Sequence, residues 1–399
     1  IQILSLVTCT AIAERLYPMI FDWHFGYTWL WIDWPAAQMG EIVGFIGLST
    51  ITIILNGLIL WSHLLWREKK DYILPFGIGV MIFASLNVAG IYLRGSLPAP
   101  DKNADVLVVQ ANISNSDKEY SVYGANTKNF VIGKFFQLTS QALKASPTHP
   151  TFALWPETAF PDIFYDARLS TGAVHQLHDF VLQNQLPLVT GGFAFTEGKL
   201  SNAMMAIGAN GEMSSAPYPK THLLAFGEYL PGSTWFPAMK KWIPEIADFA
   251  RGHGPQILNL GDLRLGAQIC YEGLFDEFSR GLANKGAQII VNSTNDSWYP
   301  DWNEPFQHLY MTLARAIETR RPLIRSTNTG VSAAILASGE ILTLSPRGQE
   351  WTHLYEIPYL ENPPQPAFLT WGFYLFPVIL GLAFVISLIG SWRTWPKKP

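Results

Sequence analysis

LRLGAQICYEGLF, residues 263–275, reads as a β-strand that stops on a cysteine and passes into a helix-forming run. A thiol at a strand-to-helix turn lies near a helix N-terminus, where the dipole favours thiolate. A free cysteine is more commonly a small buried core residue. The chain has only two cysteines, Cys9 and Cys270, so no disulfide framework follows. If this stretch lies outside the cell's reducing interior, an unpaired thiol there requires a reason.

Around that turn, apolar or β-branched runs recur at 105–114, 151–155, 186–195, 203–208 and 287–293, with a further pair at 322–337. Helical stretches fall at 127–145, 171–184, 273–285 and 305–320. Strands alternating with helices predict an α/β domain over 103–360, a sheet with helices packed on its faces. The Pro-rich strip 357–366 reads as a linker.

The flanks differ in kind. Residues 43–66, 73–93 and 368–391 contain no Asp, Glu or Lys and no Arg. A helix of about 20 apolar residues crosses a hydrocarbon core, so each stretch qualifies as a span. The short loop 67–71 carries Arg67, Lys69 and Lys70, and the tail carries Arg393, Lys397 and Lys398, whereas 22–42 has neither Lys nor Arg. The positive-inside rule therefore puts 67–71 and the tail in the cytoplasm and everything from about 95 to 365 outside. Loop 22–42 is rich in Trp and reads as an aromatic belt at headgroup level, or as one wall of a lipid entry path. The chain opens with Ile1 inside an apolar run too short to span, which reads as an end lacking upstream sequence; the alternative is a complete span over 1–20 that tolerates Glu14 and Arg15. At 15 % charged residues, 14 % aromatics and a formal net charge of −4, nothing points to nucleic acid.

Three further residues could serve Cys270. Glu157 follows a strand in WPET (155–158), Lys220 lies in YPKTH (218–222), and Glu228 lies in FGEYLP (226–231). Each alone reads as a cap, a surface lysine or a turn acid. Together they make a chemical set: a base, a cation for an oxyanion and an orienting acid. His222 and His253 remain open as the base of a Cys–His pair.

WPET, YPKTHLLAFGEYLP (218–231), QICYEGLF (268–275), NSTNDSWY (292–299) and RSTNTGV (325–331) resemble the nitrilase superfamily in order and context. The flanking spans narrow the resemblance to its membrane branch, the apolipoprotein N-acyltransferase family. That likeness implies a nitrilase-like αββα sandwich inserted between transmembrane helices. Membrane helices would occupy 1–95, the catalytic domain 103–360 and a last span 368–391. It implies a catalytic triad of Glu157, Lys220 and Cys270, with Glu228, Tyr271, Glu272 and Trp298 in support, and neither metal nor cofactor. The implied reaction moves a fatty acyl chain from a glycerophospholipid, through a cysteine thioester, to the N-terminal amine of a diacylglyceryl-cysteine apolipoprotein. The implied place is the bacterial inner membrane, with the domain on the periplasmic side. A membrane-anchored amidase or nitrile hydrolase with the same triad is the alternative, and a catalytically silent binding domain a second. Two departures stand out: about four spans where the family has eight, and Tyr299-Pro300-Asp301-Trp302 where a Phe-Gly pair is usual.

Overall fold

The computed structural model describes residues 2–19, 21, 23–114, 116–117, 124–164, 172–233, 235–243, 246–297 and 303–394. The chain divides into two compact units: Ile1–Pro98 with Ile317–Arg320 and Pro364–Pro399, and Ala99–Ala316 with Arg321–Pro363.

The second unit is built on two sheets. The first holds β1 (Lys102–Gln110), β2 (Phe152–Leu154), β3 (Leu188–Thr196), β4 (Lys199–Ile207) and β5 (Tyr218–Pro219). The second holds β6 (Ile257–Leu260), β7 (Leu263–Ile269), β8 (Ile289–Thr294), β9 (Leu323–Thr327) and β10 (Ala333–Ile335). A last strand, β11 (Trp351–Tyr359), returns to the first sheet, giving the orders β11-β1-β2-β3-β4-β5 and β10-β9-β8-β7-β6. At the heart of each sheet three neighbouring strands run parallel, β1-β2-β3 and β7-β8-β9. Parallel strands are covered on both faces and so read as continuous apolar runs. VLVV in β1 and IIV in β8 do so, and both runs are buried.

Hydrogen bonds join the two sheets face to face: Ser293 Oγ donates to the Trp155 carbonyl at 3.0 Å, and Ser326 Oγ to the Val109 carbonyl at 3.2 Å. Helices Ala125–Ala145 and Gly172–Asn184 close the outer face of the first sheet through Val131, Phe135, Val174 and Leu177. Helix Asp276–Asn284 closes the second, with Leu282 over Gly266. The result is the αββα sandwich. β11 overlaps the expected linker at 357–359, and its Pro358 is tolerated because β11 is an edge strand.

Among the described residues of the first unit, three helices are long and apolar enough to cross a membrane: Pro35–Arg67, Ile73–Gly95 and Gly372–Gly390. The first is kinked at Gly44 (φ 70°), where a Cβ would meet the Phe368 ring at 2.5 Å, so only glycine fits. The adjoining Phe45 N–H donates to Glu318 Oε1 at 2.7 Å. Arg320 pairs with Glu41 nearby. The aromatic loop is less uniform than a headgroup belt: Tyr27 is 1 % exposed and stacks on Phe45, and Trp29 donates to Thr52 at 2.8 Å. Phe25, Trp31 and Trp34 remain exposed.

Candidate active site

All the candidate site residues lie in the second unit. Glu157 follows β2 on a turn whose next residue, Thr158, has φ 50°. Gly191 on β3 lets that turn approach: a Cβ there would stand 2.7 Å from Glu157 Cα and 2.6 Å from the Thr158 nitrogen. Lys220 directly follows β5, its N–H bonded to the Asn202 carbonyl at 2.8 Å. Its side chain is 1 % exposed, and Nζ lies 3.0 Å from Glu157 Oε1 and 2.9 Å from Glu228 Oε2. The lysine is therefore far from the solvated surface residue its type suggests. Burial alone would push its ammonium down, but Glu157 and then Glu228 outweigh that and hold its pKa well above the usual lysine value.

Asn202, on β4, completes the cluster. Its Nδ2 donates to Glu157 Oε1 at 2.7 Å and to Glu228 Oε1 at 2.8 Å, so one amide holds both carboxylates around the lysine. Glu228 Oε2 also accepts the Leu224 N–H at 2.8 Å.

Cys270 directly follows β7, 7 % exposed, with φ 56°. That left-handed conformation costs a non-glycine residue about 1–3 kcal/mol and persists only where the surroundings enforce it. The Asn292 side chain helps to enforce it, donating to the Cys270 carbonyl at 2.9 Å. The expected thiolate is not favoured here. Residues Cys270–Leu274 form a 3-10 turn, and the α-helix starts only at Asp276. Burial, and next the Glu157 charge, push the thiol up to about 12, against the pull of Lys220 and of the Thr294 hydroxyl. The resting group is a thiol, and its proton must leave as the sulfur attacks.

Glu272 is fully buried and binds two segments together. Its Oε2 accepts the Ile269 N–H at 2.7 Å; its Oε1 accepts the Tyr218 hydroxyl at 2.7 Å and the Thr221 and His222 N–H groups at 2.6 and 3.0 Å. Tyr271 donates its hydroxyl to the Leu223 carbonyl at 2.7 Å, and Lys220 Nζ lies 5.7 Å from its ring centre. Trp298, like Tyr299 to Trp302, lies outside the described residues.

The alternative bases lie elsewhere. His222 stacks on Phe275 with ring centres 4.3 Å apart, and His253 is exposed beside Glu197. A third histidine, His308, carries no motif in the sequence and is fully buried in the network that holds Cys270, through Arg325 and Asn292. Its Nδ1 is 3.0 Å from Asp296 Oδ1, and Arg325 Nη2 donates to Asp296 Oδ2 at 2.8 Å, all three side chains fully buried. The available signal was the polar tail of β8: Asn292, Ser293 and Thr294 continue a strand that is buried throughout.

Residues 108–359 match the family model for carbon-nitrogen hydrolases. An apolipoprotein N-acyltransferase of Bdellovibrio bacteriovorus is 41 % identical over 384 residues, 93 % of this chain and 70 % of the relative. The chain belongs to the apolipoprotein N-acyltransferase family. Apolipoprotein N-acyltransferases of Geobacter metallireducens and Photobacterium profundum are each 28 % identical; this chain spans 63 % and 61 % of their lengths. Among solved structures, an amidase from Nesterenkonia sp. aligns with TM-score 0.47 and 16 % identity, over 69 % of this chain and 94 % of that one. The buried lysine, its two carboxylates and the thiol at the end of β7 thus belong to a membrane member of the N-acyltransferase family.

Proposed function

We propose that this chain transfers a fatty acyl chain from a glycerophospholipid to the N-terminal amine of a diacylglyceryl-cysteine apolipoprotein, with Glu157, Lys220 and Cys270 as its catalytic residues. The observation that carries the reading is the enclosed Glu157–Lys220–Glu228 cluster electrostatically coupled to a thiol.

The chemistry runs in two halves. Glu157 takes the Cys270 proton as the sulfur attacks the ester carbonyl carbon, and the Lys220 ammonium neutralises the developing oxyanion. The carbon–oxygen bond to glycerol breaks, Glu157 returns its proton to that oxygen, and lysophospholipid leaves a thioester. The acceptor amine then attacks the thioester, its proton passes through Glu157 to the departing sulfur, and the amide is formed. Glu228 and Asn202 keep Glu157 and Lys220 in register, and Glu272 and Tyr271 set the loop that presents the lysine. Trp298 belongs to the same proposal as a pocket residue.

Exposed Phe226, just before Glu228, and Trp235, Phe236 and Trp242 beyond it give this segment an apolar surface suited to acyl chains. In this reading 103–360 is the catalytic domain on the periplasmic side of the inner membrane. The segments 1–95 and 368–391 hold it there, with Arg67, Lys69 and Lys70 in the cytoplasm. Confining two lipidated substrates to one interface raises their local concentration, each buried CH₂ contributing about 0.8 kcal/mol.

A covalent intermediate predicts ping-pong kinetics. Initial rates in mixed micelles, with donor and acceptor varied together, should give parallel double-reciprocal lines. Intersecting lines would mean direct transfer and would remove Cys270 from the role assigned to it.

A further inference from the structure

We infer that Thr294 is a further catalytic residue: its hydroxyl turns from Asp296 to the Cys270 sulfur as the thiol gives up its proton, and donates a hydrogen bond to the thiolate. The inference rests on Cys270 being the nucleophile.

The topology sets the two residues side by side. β7 and β8 are parallel with Ile269 opposite Ser293, so the next step along each strand brings Cys270 beside Thr294. Thr294 is fully buried, and its hydroxyl is close enough to the cysteine to pull the thiol's pKa down. Its Oγ1 also donates to Asp296 Oδ1 across 3.4 Å, a long bond that is weakly held. A hydroxyl has one hydrogen, so it serves either the carboxylate or the sulfur.

Asp296 can release it. Its Oδ1 keeps His308 Nδ1 at 3.0 Å and its Oδ2 keeps Arg325 at 2.8 Å, so the carboxylate stays satisfied after the hydroxyl turns away. Arg325 also donates through Nη1 to Asn292 Oδ1 at 3.0 Å, and Asn292 in turn holds the Cys270 carbonyl. The charged pair thereby anchors the Cys270 backbone while the hydroxyl alone moves. No atom is exchanged in this step: the thiol proton goes to Glu157, and one O–H rotates from a carboxylate oxygen to a thiolate. A thiol held as high as Cys270 gains from such a donor inside the site.

The test is the rate of iodoacetamide alkylation of Cys270 between pH 7 and 9, in full-length protein carrying Cys9→Ser. Thr294→Val keeps the volume and removes the hydroxyl, and should slow alkylation about tenfold at every pH, whereas Thr294→Ser should stay within about twofold of wild type. Loss of fold would act the other way, since a released thiol returns to a pKa of about 8.5 and reacts faster. Thr294→Ala, checked by thermal unfolding, repeats the comparison if Thr294→Val does not fold. A folded Val or Ala protein that alkylates as fast as wild type, or faster, overturns the assignment. Failure of the underlying reading shows separately, as wild-type protein that takes no acyl group from phospholipid.

Discussion

Glu272 Oε1 accepts the Thr221 backbone N–H at 2.6 Å, tying the turn after Cys270 to the segment that carries Lys220. Nucleophile and cation come from different sheets, and this carboxylate sets their separation. Burial pushes Glu272 up to about 7, while four donors hold its charged form. Glu272→Gln replaces one acceptor oxygen by an amide donor, so at least one buried N–H loses its partner. Such a loss at a charged acceptor costs about 1.5–3 kcal/mol. Thermal unfolding in detergent should show a clear drop in midpoint together with loss of transfer; an unchanged midpoint would count against this tie.

Glu157 and Lys220 act on the Cys270 sulfur with opposite sign, Glu157 raising its pKa and Lys220 lowering it. Glu157→Gln should therefore speed iodoacetamide alkylation of the resting thiol, by about tenfold for each pH unit its pKa falls. The same substitution removes the general base and should slow acyl transfer by roughly 10²–10⁴. Chemical reactivity rising while enzymatic rate falls separates a base from a residue that merely shapes the pocket. Parallel loss of both would contradict the role.

Asp296 and Arg325 form a fully buried ion pair. Asp296→Asn leaves the arginine uncompensated, and breaking such a pair costs about 3–5 kcal/mol. Despite the opposing effect of burial, Arg325 and His308 hold the Asp296 carboxyl well below the usual range. Its folded pKa is thus depressed, so its contribution is present above the unfolded value of about 3.9 and is lost as pH falls below it. The stability gap between wild type and Asp296→Asn should be constant from pH 5 to 7 and shrink below about pH 4. Denaturant titrations across that range would show it, and a gap that grows in acid would contradict the pairing.

Gly191 touches no substrate in the proposed reaction, yet a methyl there would press on Glu157 Cα and the Thr158 nitrogen. These are backbone atoms and cannot swing aside. Gly191→Ala should move Glu157 and lower kcat by about 10²-fold, the penalty for misplacing a reacting group by an ångström. Circular dichroism should confirm retained secondary structure, and near-wild-type kcat would show that the turn has room.

What the chain discloses in one dimension is what local physics controls. Charge-free runs such as 73–93 announce a span because no other environment suits them, and the helix found there is Ile73–Gly95. The parallel strands were visible as apolar runs, with ends off by a few residues. β11 was not, because Glu356 and Pro358 interrupt an edge strand whose pairing with β1 depends on residues some 250 positions away. Glu157, Lys220, Glu228 and Cys270 stood out as a set through their motifs, and the structure couples all four. Asn202 and His308 did not, since an amide on a strand and a histidine on a helix have no local mark of being turned inward. Loop 22–42 advertised its aromatics, but not that Tyr27 and Trp29 are core residues while Trp31 and Trp34 are exposed.

The central claim is a thioester on Cys270, and intact mass of the detergent-purified protein reads it directly. After incubation with phospholipid, wild type should carry one fatty-acyl adduct that Cys270→Ala lacks. A diacylglyceryl-cysteine peptide should discharge that adduct, while water alone should leave it in place. An adduct that persists in Cys270→Ala, or one that water clears as fast as the peptide does, would contradict the account, the first by misplacing the nucleophile and the second by making the chain a hydrolase.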